Sequence, residues 1–291
     1  MKPVDIRRTA IIAMFSDDVL MERLVLKGGS ALDLVHRLTG RGSLDIDFSI
    51  DGDFEDLDDV QARCFRALRD RFDSVGLILF DERFGPQPSI PRPGQDERWG
   101  GYRIEFKLIA KETAARLGDN LETRQRNAQV VGFAQEKVFS IEISKYEFCA
   151  PKVEKEFDDY TIYVYPPELI AAEKLRAICQ QMPEYVPVRN KRARARDFYD
   201  VHTVVAGTGL DMTSAEYHEL VVAVFAAKAV PLRLLGRIAE HREFHRPDWP
   251  SVVQALTEEA RRSAGAFDFY FDFMLVEAEK LKPLWDVEAP V

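Results

Sequence analysis

Residues 26–50, LKGGSALDLVHRLTGRGSLDIDFSI, set a Gly-Gly-Ser turn ahead of an apolar-periodic helix, then place two aspartates on a strongly β-prone run. Alternation in LDIDFSI sends Leu44, Ile46, Phe48 and Ile50 to one face of a strand and Asp45, Asp47 and Ser49 to the other. Two carboxylates meeting on the open side repel each other unless a cation lies between them. Paired oxygen donors suit Mg²⁺ (or Mn²⁺), which keeps waters and takes further ligands from substrate phosphates. The Gly-Gly-Ser turn offers backbone N–H groups to phosphate, although Ser30 serves equally as an ordinary helix N-cap. A lone Asp-x-Asp is common on solvent-facing strands, so the information lies in the order and spacing of the two features together.

Lys27-Gly28-Gly29-Ser30-Ala31-Leu32 followed by Arg41-Gly42-Ser43-Leu44-Asp45-Ile46-Asp47-Phe48 resembles the first motif of DNA-polymerase-β-like nucleotidyltransferases. The resemblance is closest to their AbiEii/AbiGii (MenT-type) branch, in which a KGG[ST]AL turn leads to an RxSxDxD strand. It implies a polymerase-β-like catalytic domain and a toxin of a type IV toxin–antitoxin or abortive-infection system. Such a toxin would use an NTP and act on an acceptor such as the 3′ end of tRNA, with a cognate winged-helix antitoxin among its partners. Lys27, Gly28, Gly29, Ser30 and Ser43 then fall to NTP binding, and Asp45 and Asp47 to metal binding and catalysis.

Composition narrows the setting. At 291 residues with 46% apolar side chains the chain can build a full core, in one large domain or two. A net charge of −9 argues against a surface that grips nucleic acid all over, so a polynucleotide partner needs a local basic patch. Cys64, Cys149 and Cys179 are widely spaced and form no Cys-x-x-Cys pair, which suits a reducing cytoplasm better than a disulfide framework or a zinc site. The first residues carry charges among their apolar positions, so neither an export signal nor a membrane partner is indicated.

Along the chain, residues 5–23 show helical spacing and Leu24 to Leu26 reads as a short strand. The acidic DGDFEDLDD is a solvated loop and helix start, because acids favour a first helical turn. A helix (VQARCFRALRDRFDSVG) and a strand (LILFDERFG) follow, then a Pro/Gly-rich loop, PQPSIPRPGQDERWGG. GYRIEFKLIA and VFSIEISKYEF alternate as strands around a polar segment. From residue 151 a charged linker and one short strand lead into a helix opened by Pro-Pro-Glu, and helical patterns dominate afterwards, the aromatic FDFYFDF included. The expected architecture is α/β (α+β): residues 1–150 as a catalytic domain with a mixed sheet, and 151–291 as a mainly helical domain completing the site.

Two further clusters carry chemistry. In VFSIEISKYEF, Phe139, Ile141 and Ile143 point inward and Ser140, Glu142 and Ser144 outward, which makes Glu142 the best third carboxylate beside Asp45 and Asp47. Glu105 competes, but Arg103 and Lys107 flank it on the same face. Further on, Lys174-Leu175-Arg176-Ala177 and Arg194-Ala195-Arg196-Asp197-Phe198-Tyr199-Asp200 are similar to a later pair of motifs in the same family. That resemblance implies a Lys174 contact to the triphosphate, with Arg196, Asp197 and Asp200 in the site or its support; Asp197 could instead cap a helix or orient Arg196. Five basic residues fall within Arg189–Arg196, and Arg189, Lys191, Arg192 and Arg194 are candidates for holding the acceptor. The five histidines lack metal-ligand spacing, and Gly-x-Ser-x-Gly, P-loop and Rossmann patterns are all missing. Two rival readings remain: a small-molecule nucleotidyltransferase of the antibiotic-modifying sort, and a non-catalytic interaction protein with a degenerate site.

Overall fold

The computed structural model describes residues 1–43, 45–90, 98–131 and 135–287, so Leu44 and part of the Pro/Gly-rich loop lie outside the described residues. The chain forms two compact units. One comprises Met1–Val35, Leu44–Gly94 and Gly100–Val164; the other comprises His36–Ser43, Gln95–Trp99 and Tyr165–Val291.

The first unit is built on strands β1 (Val25–Lys27), β2 (Ile46–Ser49), β3 (Leu77–Gln87), β4 (Gly101–Ala110), β5 (Phe139–Ser144), β6 (Val153–Phe157) and β7 (Tyr160–Val164). They form one mixed sheet in the order β3-β4-β5-β2-β1-β7-β6. The β1–β7 and β2–β5 pairs are parallel and the others antiparallel. Ile46, Phe48, Ile141 and Ile143 are buried as their alternation requires. Above them lie α1 (Pro3–Phe15) and, after α2 (Asp18–Arg23) and the single turn α3 (Gly28–Ser30), the long α4 (Leu57–Ser74). Phe15 meets Phe48 edge-on at 5.7 Å, and Phe72 meets Phe106 at the same distance. Side chains buried this fully contribute about 1.5–3 kcal/mol each.

Two expectations need correction. The helix over 5–23 breaks in two, because the Asp17 carboxylate accepts from the N–H groups of Val19 and Leu20 and restarts the chain as α2. The charged linker after residue 151 is strand β6, an edge strand whose Glu154, Lys155 and Glu156 are exposed. Charge on an edge discourages pairing with another chain and at the same time hides the strand from a hydropathy reading. The polar segment between β4 and β5 contains α5 (Lys111–Leu117) and α6 (Leu121–Arg126), with Ala114 buried against Phe80, Ile109 and Ala128. The acidic run behaves as its composition requires: Asp56 caps α4 by accepting from the Asp59 N–H at 3.0 Å.

In the second unit α7 (Pro167–Cys179), α8 (Ala195–Thr208) and α9 (Ala215–Ala226) pack together, followed by α10 (Arg242–His245), α11 (Trp249–Ala255), α12 (Glu258–Ser263) and α13 (Phe267–Glu279). FDFYFDF is helical and buries Phe267, Tyr270 and Phe271, with Met274 just after it, the one-sided spacing of a packed helix. Phe198 of α8 stacks on Phe271 with centroids 5.0 Å apart. His245 beside it is fully buried, and its Nδ1 accepts the Arg194 backbone N–H at 3.0 Å. Burial pushes this imidazole down to about 4, so it packs as a neutral ring. Among the described residues no helix is long and apolar enough to cross a membrane.

Candidate active site

In the first unit the sheet brings the singled-out residues of distant segments into one lateral row. Lys27 on β1 stands opposite Asp47 on β2, Asp47 beside Glu142 on β5, Glu142 opposite Arg103 on β4, and Arg103 opposite Gly85 on β3. Residues in register share a face, so the row reads cation, carboxylate, carboxylate, cation. Glu105 is displaced from it, opposite Ser140. At one end, Lys27 Nζ lies 3.6 Å from Glu147 Oε1 and both side chains are buried. At the other, the Arg103 guanidinium donates to Glu142.

The glycine turn closes over this row. Gly28 has φ +68°, the left-handed region that L side chains rarely adopt, and a Cβ there would lie 2.7 Å from Asp47 Oδ2. Glycine is therefore needed for conformation and for the room it leaves the Asp47 carboxylate. Ser30 is not the N-cap of the helical turn; Lys27 holds that position without a side-chain cap. The Ser30 hydroxyl instead donates to the Asp45 carbonyl at 2.8 Å, tying the turn to the entry of β2. Gly28, Gly29 and Ser30 are all buried, whereas Asp45 is exposed just ahead of the strand. Gly28→Ala is expected to cost about 1–3 kcal/mol in chemical denaturation. Part of that cost should disappear in an Asp47→Ala background; strictly additive losses would show that the turn and the carboxylate do not touch.

The donor set fits a hard divalent cation. Among the described residues no three His, Cys, Asp or Glu side chains already converge into a cage. Mg²⁺ does not require one, since it commonly takes one or two carboxylates and completes its shell with water and phosphate. Asp47 and Glu142, adjacent on one face, supply such a pair.

The second unit holds a different cluster. Asp197 and Asp200, one turn apart on α8, are fully buried. Lys174 of α7 reaches both, at 2.9 Å to Asp197 Oδ1 and 3.1 Å to Asp200 Oδ2. Arg41 grips Asp200 with a two-pronged contact, Nε to Oδ1 at 3.2 Å and Nη2 to Oδ2 at 2.9 Å, while Arg194 donates to Asp197. Burial pushes both carboxyls up, but the charges of Arg194, Lys174 and Arg196 hold Asp197 far below its ordinary range, and those of Arg41 and Lys174 lower Asp200. Arg196, half exposed, stands 4.0 Å from Asp197. Four cations thus surround two carboxylates, leaving a cationic site with its lysine already oriented.

The expected capping role of Asp197 is not what the structure contains. The α8 N-cap is Arg194, and the arginine that Asp197 holds most closely is Arg194. The basic run also divides. Lys191 turns inward to the carbonyls of Gln180 and Tyr185, and Arg194 is taken by Asp197, while Arg189, Arg192 and Arg196 stay exposed. Ser43 is half buried, two residues after Arg41. Arg41 stands in the first motif, yet nothing local marks it as a site residue; its partner, Asp200, lies 159 positions away. Glu147 and Arg103 escape a sequence reading in the same way: Arg103 owes its place to strand register, and Glu147 to the turn after β5, where its N–H donates to the Ile50 carbonyl.

Over residues 10–273 the chain matches a family model of nucleotidyltransferases, enzymes that move a nucleotide from an NTP. The family is described as nucleotidyl transferase AbiEii toxin, type IV toxin–antitoxin system, and the chain belongs to it. No curated protein matches the chain.

Proposed function

We propose that this nucleotidyltransferase toxin transfers a nucleoside monophosphate from an NTP to the 3′ hydroxyl of a tRNA in the cytoplasm, with Mg²⁺ (or Mn²⁺) held by Asp45, Asp47 and Glu142. The observation that carries the reading is the in-register Asp47–Glu142 pair facing the buried Gly28–Ser30 turn. The acceptor oxygen bonds to the α-phosphorus as the bond to the bridging oxygen breaks, releasing pyrophosphate. The cation, when bound, offsets charge on the entering and leaving oxygens. In this reading Glu142 takes the acceptor proton. Lys27, the Gly28–Gly29 backbone, Ser30 and Ser43 form one end of NTP binding. Lys174, aimed by Asp197 and Asp200 and accompanied by Arg196, supplies a fixed ammonium for phosphate. Three buried free thiols suit a reducing compartment, and a type IV system supplies an antitoxin, for which a winged-helix protein is the proposed partner.

The tRNA assignment draws on the exposed part of the basic run. Arg189 and Arg192 would meet the acceptor's phosphates, with Lys191 and Arg194 holding that segment in place through their internal contacts. The test is incubation with each α-labelled NTP, Mg²⁺ and total RNA, for the wild type and for an Arg189→Ala/Arg192→Ala double variant. Label should enter tRNA 3′ ends. The double variant should raise the KM for RNA and reduce the slope of log K against log salt by roughly 0.7–0.9 for each phosphate it no longer neutralises. Transfer to RNA with unchanged salt dependence would move the acceptor path elsewhere on the surface. Turnover of NTP with no RNA labelled would favour a small-molecule acceptor.

A further inference from the structure

Of the two cations ending the carboxylate row, one is fixed and the other has room to move. Lys27 is buried and held near Glu147. Arg103 is 37% exposed, donates through Nη2 to Glu142, and has its Nη1 3.8 Å from Glu105. Its Nε is buried without a hydrogen-bond partner among the described residues, so the guanidinium is not locked by a full set of contacts. On the side away from Glu142 its register neighbour is Gly85, where a Cβ would meet none of the described residues within 4 Å. Among the described residues, open space therefore lies beside Arg103 on the same face of the sheet.

We propose that Arg103 is a built-in counter-ion for Glu142: a positioning residue that holds this carboxylate in the absence of a divalent cation, yields it when one binds, and so sets the cation affinity of the Asp47–Glu142 pair. Side-by-side carboxylates on neighbouring strands destabilise a sheet unless offset. Lys27 stands beside Asp47 and Arg103 beside Glu142, so the pair is balanced from both flanks. A dication at the pair attracts each carboxylate about twice as strongly as a guanidinium at equal distance, and repels Arg103 toward the space over Gly85.

The inference rests on the metal reading proposed above, and the experiment separates the two. Mn²⁺ binding to the full chain, without NTP, is measured by the electron paramagnetic resonance of free Mn²⁺ for the wild type, Arg103→Gln, Arg103→Lys and Asp47→Asn. Arg103→Gln should bind Mn²⁺ about tenfold more tightly, Arg103→Lys should lie between it and the wild type, and Asp47→Asn should bind far more weakly. In a Glu142→Gln background the Arg103→Gln step should change Mn²⁺ affinity by less than about twofold. As a field control Lys107→Gln, on the same strand but paired with Asp81, should also have an effect below about twofold. If Asp47→Asn loses binding while Arg103→Gln matches or falls below the wild type, the counter-ion role is overturned and the metal site stands. If Lys107→Gln tightens binding as much as Arg103→Gln, the effect is general charge and the specific role is likewise overturned. If the wild type and Asp47→Asn bind alike, the metal reading fails and the inference goes with it. Circular dichroism melts confirm folding of each variant, and Arg103→Lys carries the test if the glutamine variant does not fold.

Discussion

Asp47→Asn should reduce nucleotide transfer by about a hundred- to a thousand-fold while leaving the thermal midpoint nearly unchanged. The two effects have separate causes at one residue. As the proposed metal ligand, Asp47 would contribute charge that offsets the phosphoryl oxygens only through a bound cation, and a neutral amide would forfeit several kcal/mol of that effect. As a strand residue it stands in register with Glu142 on one side and Lys27 on the other, so the repulsion and attraction of its charge offset each other. Asparagine keeps the shape, including the fit against Gly28, and removes both. Single-turnover transfer at saturating NTP, set beside a melting curve, makes the comparison. Activity within a few-fold of the wild type would remove Asp47 from the chemistry, and a loss of several degrees would show that it is mainly structural.

The elements are legible in the sequence wherever one face is apolar. Ile46 and Phe48, or Phe139, Ile141 and Ile143, alternate so strictly that strand and outward face follow from the period of two. Boundaries are hidden where a polar residue serves the backbone. Asp17 interrupts a continuous helical period by capping a second helix, and Thr257 does the same by capping α12 through the Ala260 N–H. Strand β6 is hidden because an exposed edge strand has the composition of a linker. The row of charges is half legible: alternation places Glu142 outward, but only register with β2, almost a hundred residues earlier, makes it the neighbour of Asp47. In the second unit the motif points to Lys174, Asp197 and Asp200. That Arg41 completes their charge balance is a long-range pairing on which local periodicity is silent.

Asp200→Ala should cost about 3–5 kcal/mol in unfolding free energy. The carboxylate is fully buried and shared between Arg41 and Lys174, whose side chains are nearly buried as well, so its removal leaves two desolvated cations with Asp197 alone to balance them. Replacing the Arg41–Asp200 pair together, as Arg41→Met/Asp200→Leu, should recover much of the loss, because an apolar pair of similar volume avoids the cost of desolvating two charges. Transfer should stay low in the double variant if Lys174 is the proposed phosphate contact, since it has lost one of the two carboxylates that aim it. The pH dependence has a definite sign. Asp200 is held below its ordinary value of 3.8 in the folded protein, so its contribution is complete above that value and is lost as pH falls through the lower folded value. The gap between wild type and Asp200→Ala should therefore be constant across neutral pH and narrow only below about pH 4. Urea unfolding of wild type, single and double variants at about pH 7 and about pH 3.5 measures all of this. A single variant within about 1 kcal/mol of the wild type would mean that water or a rearranged Asp197 already serves both cations; recovery of transfer in the double variant would mean that Lys174 needs only Asp197 to be aimed.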